Sequence, residues 1–140
     1  MIFDFSRIKN SKNLLAFSGG VDSSALFFLL LNHKIDFDIA IVNYNTREQS
    51  KDEIKYALNL AKEYKKEIFI KDVKLENSSN FEKNARDIRY IFFEQIIKEN
   101  SYETLITAHQ LNDRLEWFFF YFSKGAGLVE LFWIREFEEK

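Results

Sequence analysis

The chain has 140 residues, 46% of them hydrophobic and 30% charged, a balance typical of one globular domain with a single core. It contains no cysteine, which excludes disulfides, thiolate zinc sites and cysteine nucleophiles and fits a cytoplasmic location, and no apolar run approaches the roughly 20 residues that span a bilayer. The formal net charge of −2 argues against a protein that holds nucleic acid with its whole surface, so any RNA contact must come from a local patch or another domain.

Apolar runs and helical patterns alternate through the first half of the chain. Residues 14–17 form a short apolar run that predicts a buried strand ending abruptly at a pair of glycines. Residues 22–31 predict a buried helix, and the β-branched and apolar residues 38–44 predict a second buried strand. In residues 50–64 apolar side chains recur at helical spacing behind an S-x-x-E capping box, which predicts a helix that begins at Ser50.

The alternation continues to the end of the chain. Residues 68–73 predict a third strand, and residues 80–98 predict a long helix. A fourth strand is expected over 104–107, a fourth helix over 111–123 and a fifth strand over 131–137. Strands that alternate with helices imply right-handed crossovers, so the predicted fold is a three-layer α/β/α domain around a parallel, five-stranded twisted sheet. In such sheets ligands bind beyond the carboxyl ends of the strands.

The segment Trp117–Phe122 is apolar on every side of the predicted fourth helix. A helix that is apolar all round must be covered all round. We expect one part of it to pack on the sheet, and the remainder either to form a homodimer interface or to receive a further domain.

The loop between the first strand and the first helix carries the strongest functional signal. Its two glycines let the backbone turn sharply and approach a ligand, and the helix N-terminus that follows favours an anion. A carboxylate at Asp22 would repel phosphates unless a Mg²⁺ lies between them. The loop is not a Walker A motif, because no G-K-[ST] follows the glycines, and a plain glycine turn with a serine N-cap is the alternative interpretation. The candidate phosphate-binding residues are Ser18, Gly19, Gly20, Val21, Asp22 and Ser23.

Further candidates stand at the ends of the predicted strands. Ala16, Phe17 and Asn43 can supply an apolar slot with backbone edges for an adenine ring. Ala108 and His109 follow the fourth strand and are expected to line the same site. The alternative interpretation of these residues is that they are ordinary core strands and a structural histidine.

Charged residues on two later helices are the candidate catalytic groups. Arg86 and Arg89 lie three apart on one predicted helix and share a face, from which a guanidinium can neutralise charge on the α-phosphate or the departing pyrophosphate. Asp113 and Glu116 are one predicted helical turn apart and can bind Mg²⁺, orient an amine or accept its proton. Solvated surface arginines and an acidic helix N-terminus are the alternative interpretations.

These residues carry a resemblance to known families. Residues 18–23 resemble the PP-loop of the N-type ATP pyrophosphatases, which cleave ATP between the α- and β-phosphates and share an adenine nucleotide alpha hydrolase-like fold. The segments 42–53, 80–90, 105–116 and 124–134 are similar, in order and spacing, to motifs of the tRNA(Ile)-lysidine synthases. The chain departs from that pattern at Tyr44, where a histidine is usual, and at Trp117, where a threonine is usual.

The resemblance implies a two-step ligase. ATP adenylates the C2 oxygen of the wobble cytidine of tRNA(Ile) with release of pyrophosphate, and the amine of free lysine then displaces AMP. ATP and Mg²⁺ are the implied cofactors, with Asp22 and Asp113 as metal ligands and with Arg86, Arg89 and Glu116 as further catalytic residues. The family's chains continue into tRNA-binding domains, so we expect residues 1–140 to be the catalytic domain alone, which can bind ATP and still fail to act on tRNA.

Two other functions stay open at this point. One is another PP-loop adenylating enzyme, with a different tRNA modification or an amidation as its reaction. The other is a non-catalytic adenine nucleotide-binding module. The absence of cysteine disfavours the sulfur-transfer relatives, and the acidic residues disfavour a pure nucleotide sensor.

Overall fold

The computed structural model of the chain describes residues 6–18, 21–44, 49–73, 81–111, 114–123 and 127–135. Side chains are described within 8–18, 23–44, 51–73 and 84–108. In chain order the elements are α1 (Ser6–Lys9), β1 (Asn13–Ala16), α2 (Val21–Asn32), β2 (Phe37–Asn43), α3 (Gln49–Glu63), β3 (Ile68–Asp72), α4 (Phe81–Asn100), β4 (Thr104–Leu111), β5 (Arg114–Ser123) and β6 (Gly127–Arg135).

The strands form one six-stranded sheet in the order β3-β2-β1-β4-β5-β6. The first four strands in this order run parallel, and β5 and β6 are antiparallel additions beyond β4. The order of the parallel strands reverses between β1 and β4, because β2 and β3 lie on one side of β1 and β4 lies on the other. In sheets of this kind that reversal opens a crevice at the carboxyl ends of the strands.

Helices cover both faces of the parallel part of the sheet. Side chains alternate between the faces along each strand, so Leu15 and Ile106 pack with α2 and α3, whereas Leu14 and Leu105 pack with α4. Phe27 of α2 is fully buried at the centre of the first cluster. The predicted three-layer α/β/α class is therefore confirmed. The chief helix residues of the two cores are Leu26, Phe27, Leu30, Ala57, Leu60 and Ala61 on one face and Phe93, Ile96 and Ile97 on the other.

Three helices end in the same way. The residues just past α2, α3 and α4 adopt the left-handed conformation, with φ of 57° at Lys34, 56° at Lys65 and 60° at Ser101. Such a residue turns the chain sharply and lets the next amide reach back to a carbonyl that the helix leaves unpaired. The bonds that close these ends run from the Ile35 amide to the Leu30 carbonyl (3.0 Å), from Lys66 to Ala61 (2.8 Å) and from Tyr102 to Ile97 (3.2 Å).

A buried asparagine fastens the amino end of β1. Asn13 is 1% exposed, and its side-chain nitrogen donates to the carbonyls of Ile8 and Asp36, each at 2.8 Å. Its side-chain oxygen accepts from the Ser11 hydroxyl at 3.1 Å. These three bonds hold the segment after α1 and the start of β2 against the central strand.

The segment after β4 departs from the prediction. A helix was expected over 111–123, but residues 114–123 form the strand β5, so the sheet has four parallel and two antiparallel strands instead of five parallel ones. Only two residues separate β4 from β5, too few for the crossover that a parallel neighbour needs. A short apolar run cannot be assigned by periodicity, and an aromatic run such as Trp117–Phe122 has high strand propensity.

The same finding corrects the expected dimer surface. The homodimer was predicted through a helix at Trp117–Phe122, and that helix is absent because the segment is part of β5.

No helix in the described ranges is long and apolar enough to cross a membrane.

Candidate functional site

A cleft of about 380 Å³ opens at the carboxyl ends of β1, β2 and β4, where the strand order reverses. The first residues of α2 and one face each of α3 and α4 complete its walls. The residues that line it are Ala16, Phe17, Ser18, Ser23, Ile41, Val42, Asn43, Tyr44, Glu53, Ile54, Arg89, Tyr90, Phe93, Thr107 and Ala108.

A pair of serines closes the loop that connects β1 to α2. The Phe17 amide donates to the Ala40 carbonyl at 2.8 Å and extends the β1–β2 ladder one residue beyond the strand. The backbone amide of Ser18 then donates to the Ser23 hydroxyl at 3.1 Å, and the hydroxyls of Ser18 and Ser23 lie 2.8 Å apart. Ser23 is 3% exposed, whereas Ser18 is exposed to solvent. The loop is thus pinned at both ends, with the N-terminus of α2 at the cleft, where unpaired backbone amides favour an anion.

The opposite wall brings a positive charge to the cleft. Tyr44 follows β2 directly, and its hydroxyl donates to the Ala85 carbonyl of α4 at 3.0 Å. Burial raises the pKa of Tyr44, and the charge of Arg89 and a hydrogen bond from it act in the opposite direction. Arg89 and Tyr44 both line the cleft.

Apolar side chains shape the space between these two polar walls. Tyr90 and Phe93 meet edge to face, with ring centroids 6.0 Å apart and planes at 83°. Ile41 and Val42 of β2 lie against opposite faces of the sheet at the same level. A slot of this kind suits a flat heteroaromatic ring, which gains from apolar burial and from aromatic contacts.

Polar groups at the end of β2 and in the middle of β4, just beyond its pairing with β1, complete the cleft. Asn43 donates its side-chain N–H to Asp72 at 3.0 Å, and its carbonyl accepts from the Val73 amide at 2.8 Å. Thr107 is 4% exposed, and its hydroxyl has no hydrogen-bond partner within the described part of the chain. Thr104, at the start of β4, also has an unpartnered buried hydroxyl there.

The structure brings together many of the predicted site residues. Seven of them line the cleft: Ala16, Phe17, Ser18, Ser23, Asn43, Ala108 and Arg89. Val21 and Asp22 begin α2, and His109 lies in β4, but their side chains fall outside the described residues. Gly19, Gly20 and Asp113 fall outside them entirely.

Two predictions about charged pairs are modified by the structure. Arg86 is exposed and is not among the cleft-lining residues, so of the two arginines only Arg89 reaches the cleft. Asp113 and Glu116 were expected one helical turn apart, and that spacing is wrong because Glu116 lies on the strand β5. Its backbone is paired with His109 of β4, next to the cleft-lining Ala108.

Several cleft residues were not predicted. Tyr44, Glu53, Tyr90 and Thr107 lie in segments that resemble family motifs, but no role was predicted for them. Phe93 was expected only within a helix, and α3 begins at Gln49, one residue before the predicted start at Ser50. The available signal was position: Tyr44 directly follows β2 and Thr107 ends the predicted fourth strand, and ligand-binding residues concentrate at such strand ends.

Metal ligands are not identified among the side chains described. Within those residues no group of three or more His, Asp or Glu side chains could hold a metal ion. The predicted ligands, Asp22 and Asp113, lie outside the described side chains. The charged side chains among the described lining residues are Glu53 and Arg89.

A doubly wound sheet, a loop that leads into a helix N-terminus and a cleft at the reversal of strand order together define a nucleotide-binding type of α/β domain. The family model described as a PP-loop domain matches residues 3–139. The chain therefore belongs to the PP-loop family.

The chain is also similar in sequence to proteins named tRNA(Ile)-lysidine synthase. The chain is 53% identical over 133 residues to a tRNA(Ile)-lysidine synthase of Campylobacter jejuni (strain RM1221), an alignment that covers 95% of this chain and 41% of that protein. It is 52% identical over 133 residues to the tRNA(Ile)-lysidine synthase of Helicobacter pylori (strain 26695), covering 95% of this chain and 39% of that one. The chain thus spans about two-fifths of the length of these relatives.

A solved structure has the same fold. The U34-tRNA thiolase NcsA from Methanococcus maripaludis superposes with a TM-score of 0.59 over 75% of this chain and 40% of that one, at 24% sequence identity.

Proposed function

We propose that the chain is the ATP-binding catalytic part of a tRNA(Ile)-lysidine synthase. In this reaction ATP adenylates the C2 oxygen of the wobble cytidine, and lysine then replaces AMP to form a carbon–nitrogen bond. The observation that carries the proposal is the cleft itself. Three of the motifs that the chain shares with that family converge on it: residues 18–23 at its pinned loop, residues 42–53 at the end of β2 and the start of α3, and residues 80–90 at its arginine.

The cleft offers a place for each part of ATP. The apolar space beside Tyr90 and Phe93 suits adenine, and the loop between Ser18 and Ser23 suits the phosphates, since amides at a helix N-terminus bind anions. Arg89 lines the same cleft. A guanidinium there stabilises the negative charge that grows on the α-phosphate and the departing pyrophosphate.

Mg²⁺ fits the proposed site by the chemistry of its residues. Asp22 is the second residue of α2 and immediately precedes the cleft-lining Ser23, so its place in the chain is beside the proposed phosphate loop. An oxygen ligand in that position is of the kind that Mg²⁺ takes, with phosphate oxygens as its other ligands. We propose Asp22 as a ligand and keep Asp113 as a second candidate; a bound Mg²⁺ would supply neutralisation of phosphate charge.

The acceptor side of the reaction is assigned by position. Glu116 is paired with His109 beside the cleft, which makes its carboxylate a candidate for contact with the lysine amine. The net charge of this chain is −2, whereas binding to the tRNA backbone relies on positive charge. We therefore propose that binding of tRNA(Ile) needs the part of the relatives that lies outside the alignment.

Product analysis tests the proposed function. The chain, joined to the part of the Campylobacter jejuni relative that lies outside the alignment, is mixed with α-labelled ATP, magnesium, a tRNA(Ile) transcript and labelled lysine. The expected products are AMP and pyrophosphate in equal amounts, with lysine attached to the tRNA. Formation of ADP and phosphate would overturn the assignment to α,β-cleavage. Release of pyrophosphate that needs a different acceptor would instead indicate another PP-loop adenylating enzyme.

A further inference from the structure

Tyr44 ties two distant parts of the cleft together. It follows the last residue of β2, yet its hydroxyl donates to a carbonyl of α4 that lies 41 residues further along the chain. The main packing of α4 on the sheet comes from Phe93, Ile96 and Ile97, two or more turns later in the helix. The Tyr44 bond therefore fastens the early part of α4 to the rim of the cleft.

The bond meets α4 at the turn that carries Arg89. In an α-helix each amide donates to the carbonyl four residues earlier, so the Ala85 carbonyl is also the acceptor for the backbone amide of Arg89. Ala85 itself is 6% exposed, so this carbonyl belongs to the buried side of the helix. The tyrosine hydroxyl thus binds the helical turn that leads to Arg89.

The Arg89 side chain lies in the same part of the cleft. Tyr44 and Arg89 both line it, and the charge of Arg89 acts to lower the pKa of Tyr44. A phenol oxygen can donate one hydrogen bond and accept others, so the Tyr44 oxygen can still accept from a guanidinium while it donates to the Ala85 carbonyl. An arginine has five N–H donors, so a bond to Tyr44 would leave further donors for an anion in the cleft.

The exposed neighbour on the same helix provides a contrast. Arg86 lies outside the cleft and is exposed, whereas Arg89 is half-buried and lines it. Both arginines are on α4 three residues apart, so helix position alone does not bring a guanidinium into the cleft. Arg89 follows Ala85, where Tyr44 binds the helix, by about one turn, and it shares the cleft lining with Tyr44.

We infer that Tyr44 is a positioning residue, which holds the Arg89 guanidinium in the direction of the phosphate groups of a nucleotide bound in the cleft. The inference rests on the proposed ATP site and adds to it a residue that acts through Arg89 and not by touching the adenine. Holding the side chain in place lowers the conformational entropy lost when the arginine meets a phosphate.

Nucleotide affinities test the inference. Tyr44→Phe removes the hydroxyl that binds the Ala85 carbonyl and should weaken MgATP binding about 10-fold, the size expected when a hydrogen bond between the arginine and a phosphate is lost. Adenosine has no phosphate, so its affinity, followed by NMR titration, should stay within about twofold. The matched control is Tyr64→Phe, which removes a tyrosine hydroxyl from a residue outside the cleft lining and should change neither affinity.

A double-mutant cycle adds a result that a merely structural role would not give. In an Arg89→Gln background, Tyr44→Phe should cause no further loss of MgATP affinity, because its effect passes through the guanidinium. Equal losses of MgATP and adenosine affinity, or full additivity with Arg89→Gln, would overturn the inference. If the unchanged protein binds no MgATP, it is the proposed function that fails.

The unsubstituted protein offers a measurement that does not depend on the folding of a variant. The side-chain Nε–H of Arg89, assigned through its bonds to the backbone amide of the same residue, should exchange with water more slowly than that of the exposed Arg86. Equal exchange rates for the two arginines would show that Arg89 is not held and would also overturn the inference.

Discussion

Replacing Ser23 by alanine tests the pinned loop at the cleft. Ser23 is 3% exposed, and its hydroxyl accepts the Ser18 amide at 3.1 Å and lies 2.8 Å from the Ser18 hydroxyl. Ser23→Ala removes both hydrogen bonds while it leaves α2 with a residue of higher helix propensity. The substitution therefore acts on the loop and not on the helix.

The expected loss of stability is modest. Two hydrogen bonds at about 1 kcal/mol each would cost about 2 kcal/mol, but Ser18 is exposed and can bond to water once released, so we expect about 1–2 kcal/mol. The affinity for MgATP should fall about 10-fold or more, because the released loop must be ordered again when the phosphates bind.

Urea unfolding and calorimetric titration with MgATP measure the two effects. Ser24→Ala is the matched control, because Ser24 is the next residue of α2, is half-buried and is not among the cleft-lining residues. It should change the free energy of unfolding by less than about 0.5 kcal/mol and leave the affinity unchanged. The reasoning is refuted if Ser23→Ala binds MgATP as tightly as the native chain, or if both variants lose affinity equally.

Three predictions concern the scaffold. Asn13→Ala should lower the free energy of unfolding in urea by about 3 kcal/mol, because three hydrogen bonds of a buried side chain are lost; a loss below about 1 kcal/mol would contradict this. Thr104→Val should raise the same free energy by about 1 kcal/mol, since it removes a buried hydroxyl that lacks a partner in the described residues, and a decrease would show that the hydroxyl is bonded. Burial and the Asp38 carboxylate raise the pKa of Tyr102, so the folded chain keeps this proton when the unfolded chain loses it above about pH 10. Stability should therefore fall as the pH rises above about 10, and less steeply in Tyr102→Phe; equal slopes would contradict the assignment.

The parallel part of the fold could be predicted because its patterns are local. The apolar runs of β1 and β2 and the helical spacing of α3 lie within single elements, and the observed bounds of these three differ from the predicted ones by one residue at each end. The aromatic run of β5 could not be assigned in this way. It has no polar face, so periodicity does not separate a buried helix from a strand, and the pairing with β4 and β6 decides its structure.

The candidate site was predictable at its loop and less so at its far wall. The composition of residues 18–23 and their position between a strand and a helix predict a phosphate-binding loop. The bond between Tyr44 and Ala85 joins residues 41 apart, and no local pattern predicts it. Helix spacing also does not predict which of Arg86 and Arg89 lines the cleft. Residues three apart on a helix point about 60° away from each other, and only Arg89 is among the lining residues.

Amide NMR with MgATP tests the central claim, that the cleft at the carboxyl ends of β1, β2 and β4 binds the nucleotide. The account predicts saturable shifts at Ser18, Ser23, Tyr44, Arg89 and Ala108, with little change on the outer face of α2 around Phe28. No shifts at millimolar MgATP, or shifts confined to residues away from the cleft, would contradict it.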